Sequence, residues 1–366
     1  MNDFFFISSP LHLFMAANLA IQNPANKKTA LIISKNRQAG SRLLAVIAHG
    51  PDIFTNTVDL SACPLRRGNR RHKSRFQLLN ELLSETCDAR IFTGNDRRME
   101  FQYAMHVATR GNPQTEGIYL DEGAVTYIGH KSMHRIQHRY IDPFFKQLFY
   151  GACYKPAVTT GASAWVNTVY AAFPAAVHPL LQRKNIRAID PAPFRTKAFK
   201  DLAMAMLKDY PEIETILCGI KLVLTLPHEA CYIKEPRRYR EFAEQLGTYL
   251  QPAQIAVKPH PRITNSAVLH NLFPGTTILE HRVGMEAMLP LLDDDCIIAG
   301  DISSTLLTTR WLRPDLQVVA LTGNQDVPAV LSRLYRTLHI PMISAAQIGT
   351  YLKSSGEHKK RNVITP

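Results

Sequence analysis

FFFISSPLHLFMAANLAIQNPANKKTALIIS, residues 4 to 34, decides the fold class. Phe4 to Ser8 is a short apolar run that reads as a buried strand, and Ser9-Pro10 interrupts it. Leu11 to Ile21 follows with the apolar spacing of a helix, and Thr29 to Ser34 is a second apolar run. Strand, helix, strand in that order is the unit of a parallel sheet, because parallel neighbours need a crossover and a helix usually makes it.

The alternation continues outward. A helix is expected over Arg42 to His49, a strand near Phe54 to Leu60, an amphipathic helix around Phe76 to Ser84, and strands at Ala89 to Thr93 and Gly117 to Leu120. Between about 125 and 210 the periodicity is poor, and aromatic, proline and basic residues crowd together, as in Asp142-Pro143-Phe144-Phe145 and Phe149-Tyr150. That stretch reads as an insertion, with packing, acceptor binding and membrane contact as competing uses. From Ile216 the pattern restarts, with strands at Lys221 to Leu226, Gln254 to Lys258, Cys296 to Ala299 and Gln317 to Leu321. Helices are expected across Tyr239 to Leu250, Gly284 to Leu292 and Ser303 to Leu312. The expected architecture is α/β, two doubly wound Rossmann-like domains facing a central cleft, 1–212 and 213–366.

A chain of 366 residues that is 46% hydrophobic and 20% charged has globular rather than disordered composition. Lys and Arg outnumber Asp and Glu by 43 to 30, and the formal charge of +13 favours acidic partners. Much of the excess is local: Arg66, Arg67, Arg70, Arg71, Lys73 and Arg75 form a segment read as a basic loop. It lacks the aromatic residues on which single-stranded bases stack, so no nucleic acid is expected. A nucleotide-sugar, an acidic glycan and an anionic inner-membrane face fit the charge better. Cys63, Cys87, Cys153, Cys218, Cys231 and Cys296 form no C-x-x-C pair and read as buried free thiols of a reducing compartment. The N-terminal apolar run ends too early for a signal peptide or spanning helix, so the expected location is cytoplasmic, with peripheral contact to the inner membrane.

Three strand ends carry residues suited to chemistry. Asp121-Glu122-Gly123 follows Gly117 to Leu120, where a carboxylate shielded from water has its pKa raised enough to accept a hydroxyl proton. An acidic turn without function would look the same. Lys258-Pro259-His260-Pro261 ends another strand, and the flanking prolines restrict the backbone that aims His260, as they would in any proline-rich turn. Such a histidine can donate to a phosphate oxygen. Gly300-Asp301-Ile302-Ser303-Ser304-Thr305 links a strand to a helix, where two serines either cap the helix or, with its free N–H groups, hold a phosphate.

In this order and at these places, the three motifs resemble those of the bacterial GT-B sialyltransferases, the group that includes lipooligosaccharide sialyltransferases and capsular polysialyltransferases. That group is marked by an acidic-acidic-Gly motif, a His-Pro motif and a Ser-Ser or Ser-Thr motif; Ile7-Ser8-Ser9-Pro10-Leu11 is also similar to its usual opening. The resemblance implies an inverting, metal-independent transfer of sialic acid from CMP-sialic acid to a glycan acceptor such as lipooligosaccharide, O-antigen or capsule, with no further cofactor. It implies Asp121 as general base, with Glu122 the fallback, and Gly123 as a structural turn. His260-Pro261 would meet the donor phosphate, Ser303 and Ser304 would cradle it, and Lys258 and Glu280 would hold cytosine and ribose. Asp293-Asp294-Asp295 looks like a metal-binding acidic run but directly precedes an expected buried strand and fits a solvated turn, and His270 and His281 have no ligand spacing to one another or to cysteines, so no metal is expected. The rival readings are another CMP-linked acid sugar such as Kdo, a UDP- or GDP-sugar transferase, and a basic membrane- or nucleic-acid-binding protein without catalysis.

Overall fold

The structure is a computed structural model that describes all residues except 35–36, 62–68, 85, 87, 130–141, 323–326 and 363–366; the side chains of 69–73, 142–144 and 354–362 are likewise not described. The chain divides into two compact units, Met1–Lys208 and Asp209–Pro366.

The first unit is built on strands β1 (Asn2–Ile7), β2 (Lys27–Ile32), β3 (Asn56–Asp59), β4 (Ala89–Thr93), β5 (Glu116–Leu120), β6 (Thr168–Ala171) and β7 (Asn185–Ala188). They form one sheet in the order β3-β2-β1-β4-β5-β6-β7, every pair parallel. Phe4 to Ile7 is buried on both faces, as a central parallel strand must be, and the Phe5 ring stacks on Phe92 with centroids 4.3 Å apart. The helix Pro10–Gln22 is started by Ser9, whose Oγ accepts the N–H of His12, with Pro10 in its first turn. The strand order reverses between β1 and β4, and ligands of open α/β sheets gather outside the carboxyl ends at that reversal.

Several stretches of this unit differ from their sequence reading, the helix Met99–Gly111 among them. Thr168–Ala171 and Asn185–Ala188, inside the stretch read as an insertion, extend the sheet as β6 and β7. The helix expected from Phe76 begins at Asn69, inside the basic segment read as a loop. Arg75 is 4% exposed and ion-paired to Glu100 at 2.6 Å, so it belongs to the interior and not to a solvated face. Arg66 and Arg67 lie outside the described residues, while Arg70, Arg71 and Lys73 fall on the helix. Arg75→Ala strips Glu100 of its buried cation, and a loss of about 3 kcal/mol is expected. Urea titration should show a lower midpoint at unchanged slope. An unchanged midpoint would mean that the pair contributes nothing.

The second unit repeats the design with β8 (Leu222–Thr225), β9 (Ile255–Lys258), β10 (Thr277–Ile278), β11 (Ile297–Gly300), β12 (Gln317–Leu321) and β13 (Met342–Ile343). Its order is β10-β9-β8-β11-β12-β13, again wholly parallel, with the reversal between β8 and β11. Leu222, Leu224, Val257, Ala299 and Val319 bury one sheet face against Tyr239, Phe242 and Leu246 of the helix Pro236–Tyr249. The thiols depart from expectation: Cys153 and Cys296 are buried but Cys218 and Cys231 are exposed, while Cys63 and Cys87 lie outside the described residues. Apolar neighbours in sequence did not bury Cys218 and Cys231: the first caps the end of the helix Ile213–Leu217 and the second lies exposed within the helix Glu229–Lys234, neither in a strand. Among the described residues, no helix is long and apolar enough to cross a membrane.

Candidate active site

In the first unit, Asp121, Glu122 and Gly123 leave the carboxyl end of β5 and lead into the helix Ala124–Ile128. Gly123 has φ 78°, ψ −137°, a conformation open to glycine and strained for other residues, and it forms the turn. Asp121 is 1% exposed. Its carboxylate accepts the N–H of Gly123 at 2.8 Å, the N–H of Ala172 at 2.9 Å and the hydroxyl of Tyr127. Burial pushes its pKa up, against the pull of those donors. The expected base therefore accepts three hydrogen bonds from its own turn and the neighbouring strand end. Glu122 is half-buried, and its carboxylate accepts no hydrogen bond among the described residues. Burial pushes it up to about 7, with Arg98 opposing and Asp96 and Asp121 reinforcing the rise.

Sequence reading missed the neighbouring strand ends. Because β1, β4 and β5 are adjacent and parallel, Ser8, Gly94 and Glu122 share one edge. The His12 ring lies against Gly94, where an added Cβ would overlap it, and its Nδ1 is 3.0 Å from Ser8 Oγ. Burial, with Arg98 adding to it, lowers His12 to about 4, so the ring is neutral at physiological pH.

In the second unit the predicted residues gather at the ends of β9, β10 and β11. His260 Nδ1 accepts the N–H of Arg262 at 3.1 Å, which leaves Nε2 to carry the proton of the neutral ring. Burial, then His228, Arg262 and Lys258, hold its pKa below the ordinary histidine value. Pro261 is exposed beside it. Lys258 is 5% exposed and its Nζ donates to the carbonyls of Pro259 and His281 at 3.0 and 3.1 Å, clasping the two loops together. Burial lowers it to about 8, with Glu286 and Glu280 opposing. Glu280 accepts the N–H of Arg282 at 3.2 Å and pairs with His281 at 2.9 Å. With Pro259, Tyr210, His270 and His281 it lines a cavity of about 470 Å³.

Ser303 is the N-cap of the helix Ser304–Leu312, yet its hydroxyl makes no capping bond. Tyr335 takes both backbone groups instead, its hydroxyl accepting from Ser303 N at 2.8 Å and donating to Ser303 O at 2.9 Å. Ser303 Oγ is left buried without a partner, an arrangement that costs stability unless a ligand satisfies it. Ser304 is exposed at the first turn. Asp301, between strand and serines, is held by Arg238 at 2.8 Å and by the hydroxyl of Tyr239 at 2.6 Å. The acidic run 293–295 is tied into surface pairs, Asp294 with Arg313 and Asp295 with Lys221, both at 2.7 Å.

No family model matches the sequence, and no curated protein matches it. Solved structures do. An α/β-galactoside α-2,3-sialyltransferase from Photobacterium phosphoreum aligns with a TM-score of 0.60 at 13% identity, covering 94% of this chain and 98% of that one. The GT-B domain of a sialyltransferase from Photobacterium damselae aligns at 0.54 and 12%, covering 94% and 100%. UDP-GlcNAc 2-epimerase from Neisseria meningitidis, bound to UDP-GlcNAc, aligns at 0.53 and 10%, covering 98% and 92%. These likenesses show the fold, an α/β chain of GT-B type with two parallel sheets and alternating helices, as the sequence pattern implied.

Proposed function

We propose that the chain is an inverting glycosyltransferase that moves a sialic acid from CMP-sialic acid to a glycan acceptor. The observation that carries the reading is the anion-seeking edge of the second unit. There an unpartnered, buried Ser303 hydroxyl at a helix N-terminus shares the sheet edge with His260 Nε2–H, and the Pro259–Glu280 cavity lies at the ends of β9 and β10. The acceptor hydroxyl oxygen attacks the anomeric carbon as the carbon–oxygen bond to phosphate breaks. CMP leaves with the bonding pair, and the hydroxyl proton passes to the acidic turn of the first unit. Within that turn Glu122 is the acceptor, since its carboxylate is uncommitted, while Asp121 orients the loop. The leaving group is a single phosphate, so His260, Ser303 and Ser304 supply its stabilisation without a required divalent ion.

Peripheral membrane contact belongs to the same reading. The helix Asp142–Tyr150 exposes Leu148 and Phe149 by 70% and 69%, an apolar tip suited to the headgroup boundary of an anionic bilayer.

Because UDP-sugar enzymes share the fold, the decisive measurement is nucleotide choice. Thermal shift should rise with CMP and not with UDP, and CMP release from CMP-sialic acid with a galactoside acceptor should survive EDTA. A shift with UDP alone would overturn the donor assignment.

A further inference from the structure

We propose that His228 is a second donor to the departing phosphate, forming with His260 a two-imidazole anion site at the carboxyl ends of β8 and β9. The inference rests on the CMP-donor reading above and extends it to a residue that none of the three motifs contains.

Topology supplies the first argument. In the sheet β8 lies between β9 and β11, so the loop leaving β8 emerges between the loop carrying His260 and the loop carrying Ser303. It also stands at the reversal of strand order, the usual ligand position in such a sheet.

Hydrogen bonding supplies the second. His228 is the N-cap of the helix Glu229–Lys234, and its Nδ1 accepts the N–H of Ala230 at 3.3 Å. His260 Nδ1 accepts the N–H of Arg262 at 3.1 Å. A backbone amide can only donate, so in each neutral ring the lone pair is on Nδ1 and the proton on Nε2. The chain thus sets both tautomers, and both present an N–H. Among the described residues neither Nε2 has a protein partner.

Proximity and rigidity supply the third. The two rings are 5.5 Å apart between centroids with planes at 63°, a separation at which two N–H groups can serve one phosphate. The Glu229 carboxylate accepts Thr264 N at 2.9 Å and Thr264 Oγ1 at 2.6 Å, which ties the helix after His228 to the loop after His260. Donors fixed before the reaction stabilise developing charge without reorganising, which is why they contribute more to the transition state than to the ground state.

The test compares His228→Ala, His228→Asn and His228→Gln with the wild type for binding of cytidine, CMP and UMP and for transfer. Asn keeps the cap on Ala230 but falls short of the phosphate, so it separates lost capping from a lost donor; Gln presents an amide N–H farther out. In His228→Ala and His228→Asn we expect kcat to fall about 100-fold and CMP affinity about 10-fold, with cytidine affinity unchanged. His228→Gln should recover part of both. Wild-type CMP affinity and turnover in His228→Ala would overturn the proposal and leave the donor reading intact. If the wild type ignores CMP but binds UMP, and that binding drops in His228→Ala, the CMP assignment fails and the two-imidazole site stands. A wild type that binds neither nucleotide overturns both.

Discussion

Glu122→Gln is expected to lower kcat at least 1000-fold, to leave CMP affinity within about twofold, and to make the protein more stable at pH 8. The two effects share one cause. Burial raises the Glu122 pKa from 4.5 to about 7, so the folded chain binds that proton more tightly than the unfolded chain does. The ionised carboxylate therefore costs nothing below about pH 4.5, and its cost grows through the interval to its full size above about 7. At about 1.4 kcal/mol per unit, that is on the order of 3 kcal/mol. Gln removes the charge and with it the penalty, so the stability gain should be present at pH 8 and absent at pH 4. The same shift makes Glu122 a usable base: kcat/KM should climb tenfold per unit at low pH and level off near 7, and the limb should vanish in the variant. Asp121→Asn gives the contrast. Its carboxylate serves two backbone N–H groups and the Tyr127 hydroxyl, so the variant should unfold at lower denaturant and lose activity only through the displaced turn. A normally folded, inactive Asp121→Asn beside a fully active Glu122→Gln would return the base to Asp121.

The strands that could be read in advance are those buried on both faces. Ala89–Thr93 and Gln317–Leu321 agree with the sequence reading residue for residue, because buried apolar residues dominate both runs, the half-buried Arg90 and Gln317 being the exceptions. β7 could not be read that way: Asn185, Arg187 and Ala188 are exposed at a sheet edge, and the alternation Asn-Ile-Arg-Ala is only four residues long inside a stretch of poor periodicity. The helix Met99–Gly111 was hidden for a different reason. Glu100 and Gln102 are buried inside it, the first beside Arg75 and the second donating to the carbonyls of Asp96 and Lys155, so polar letters stand where the pattern required apolar ones. The motifs marked three strand ends but not which side chain in each is free to react. That depends on partners distant in sequence, such as Ala172 for Asp121 and Tyr335 for Ser303. His228 did leave a trace, since Pro227-His228 and Pro259-His260 repeat the same dipeptide just beyond adjacent strands.

Gly300→Ala should destabilise the second unit by about 3 kcal/mol and weaken CMP binding more than 100-fold, whereas Gly247→Ala should stabilise it slightly. Space decides the opposite signs. Gly300 ends β11 directly opposite Thr225 of β8, and an added Cβ would overlap Thr225 Oγ1 and its carbonyl oxygen. Thr225 cannot turn away, because it is 6% exposed and its hydroxyl donates to the Ala299 carbonyl at 3.2 Å. A carbonyl in the sheet ladder cannot move without loosening the ladder, so the two strands must part at their carboxyl ends. From those two ends His228 and Ser303 depart, and separating them disperses the donors proposed to meet the phosphate. Gly247 lies inside the helix Pro236–Tyr249, and a Cβ there meets nothing within 4 Å. Alanine at that position narrows the unfolded ensemble at no steric cost, a gain of about 0.5 to 1 kcal/mol. Denaturant midpoints and CMP titrations on both variants check the pair. If Gly300→Ala matches the wild type in both measurements, the β8–β11 edge is not the rigid platform that the phosphate site requires.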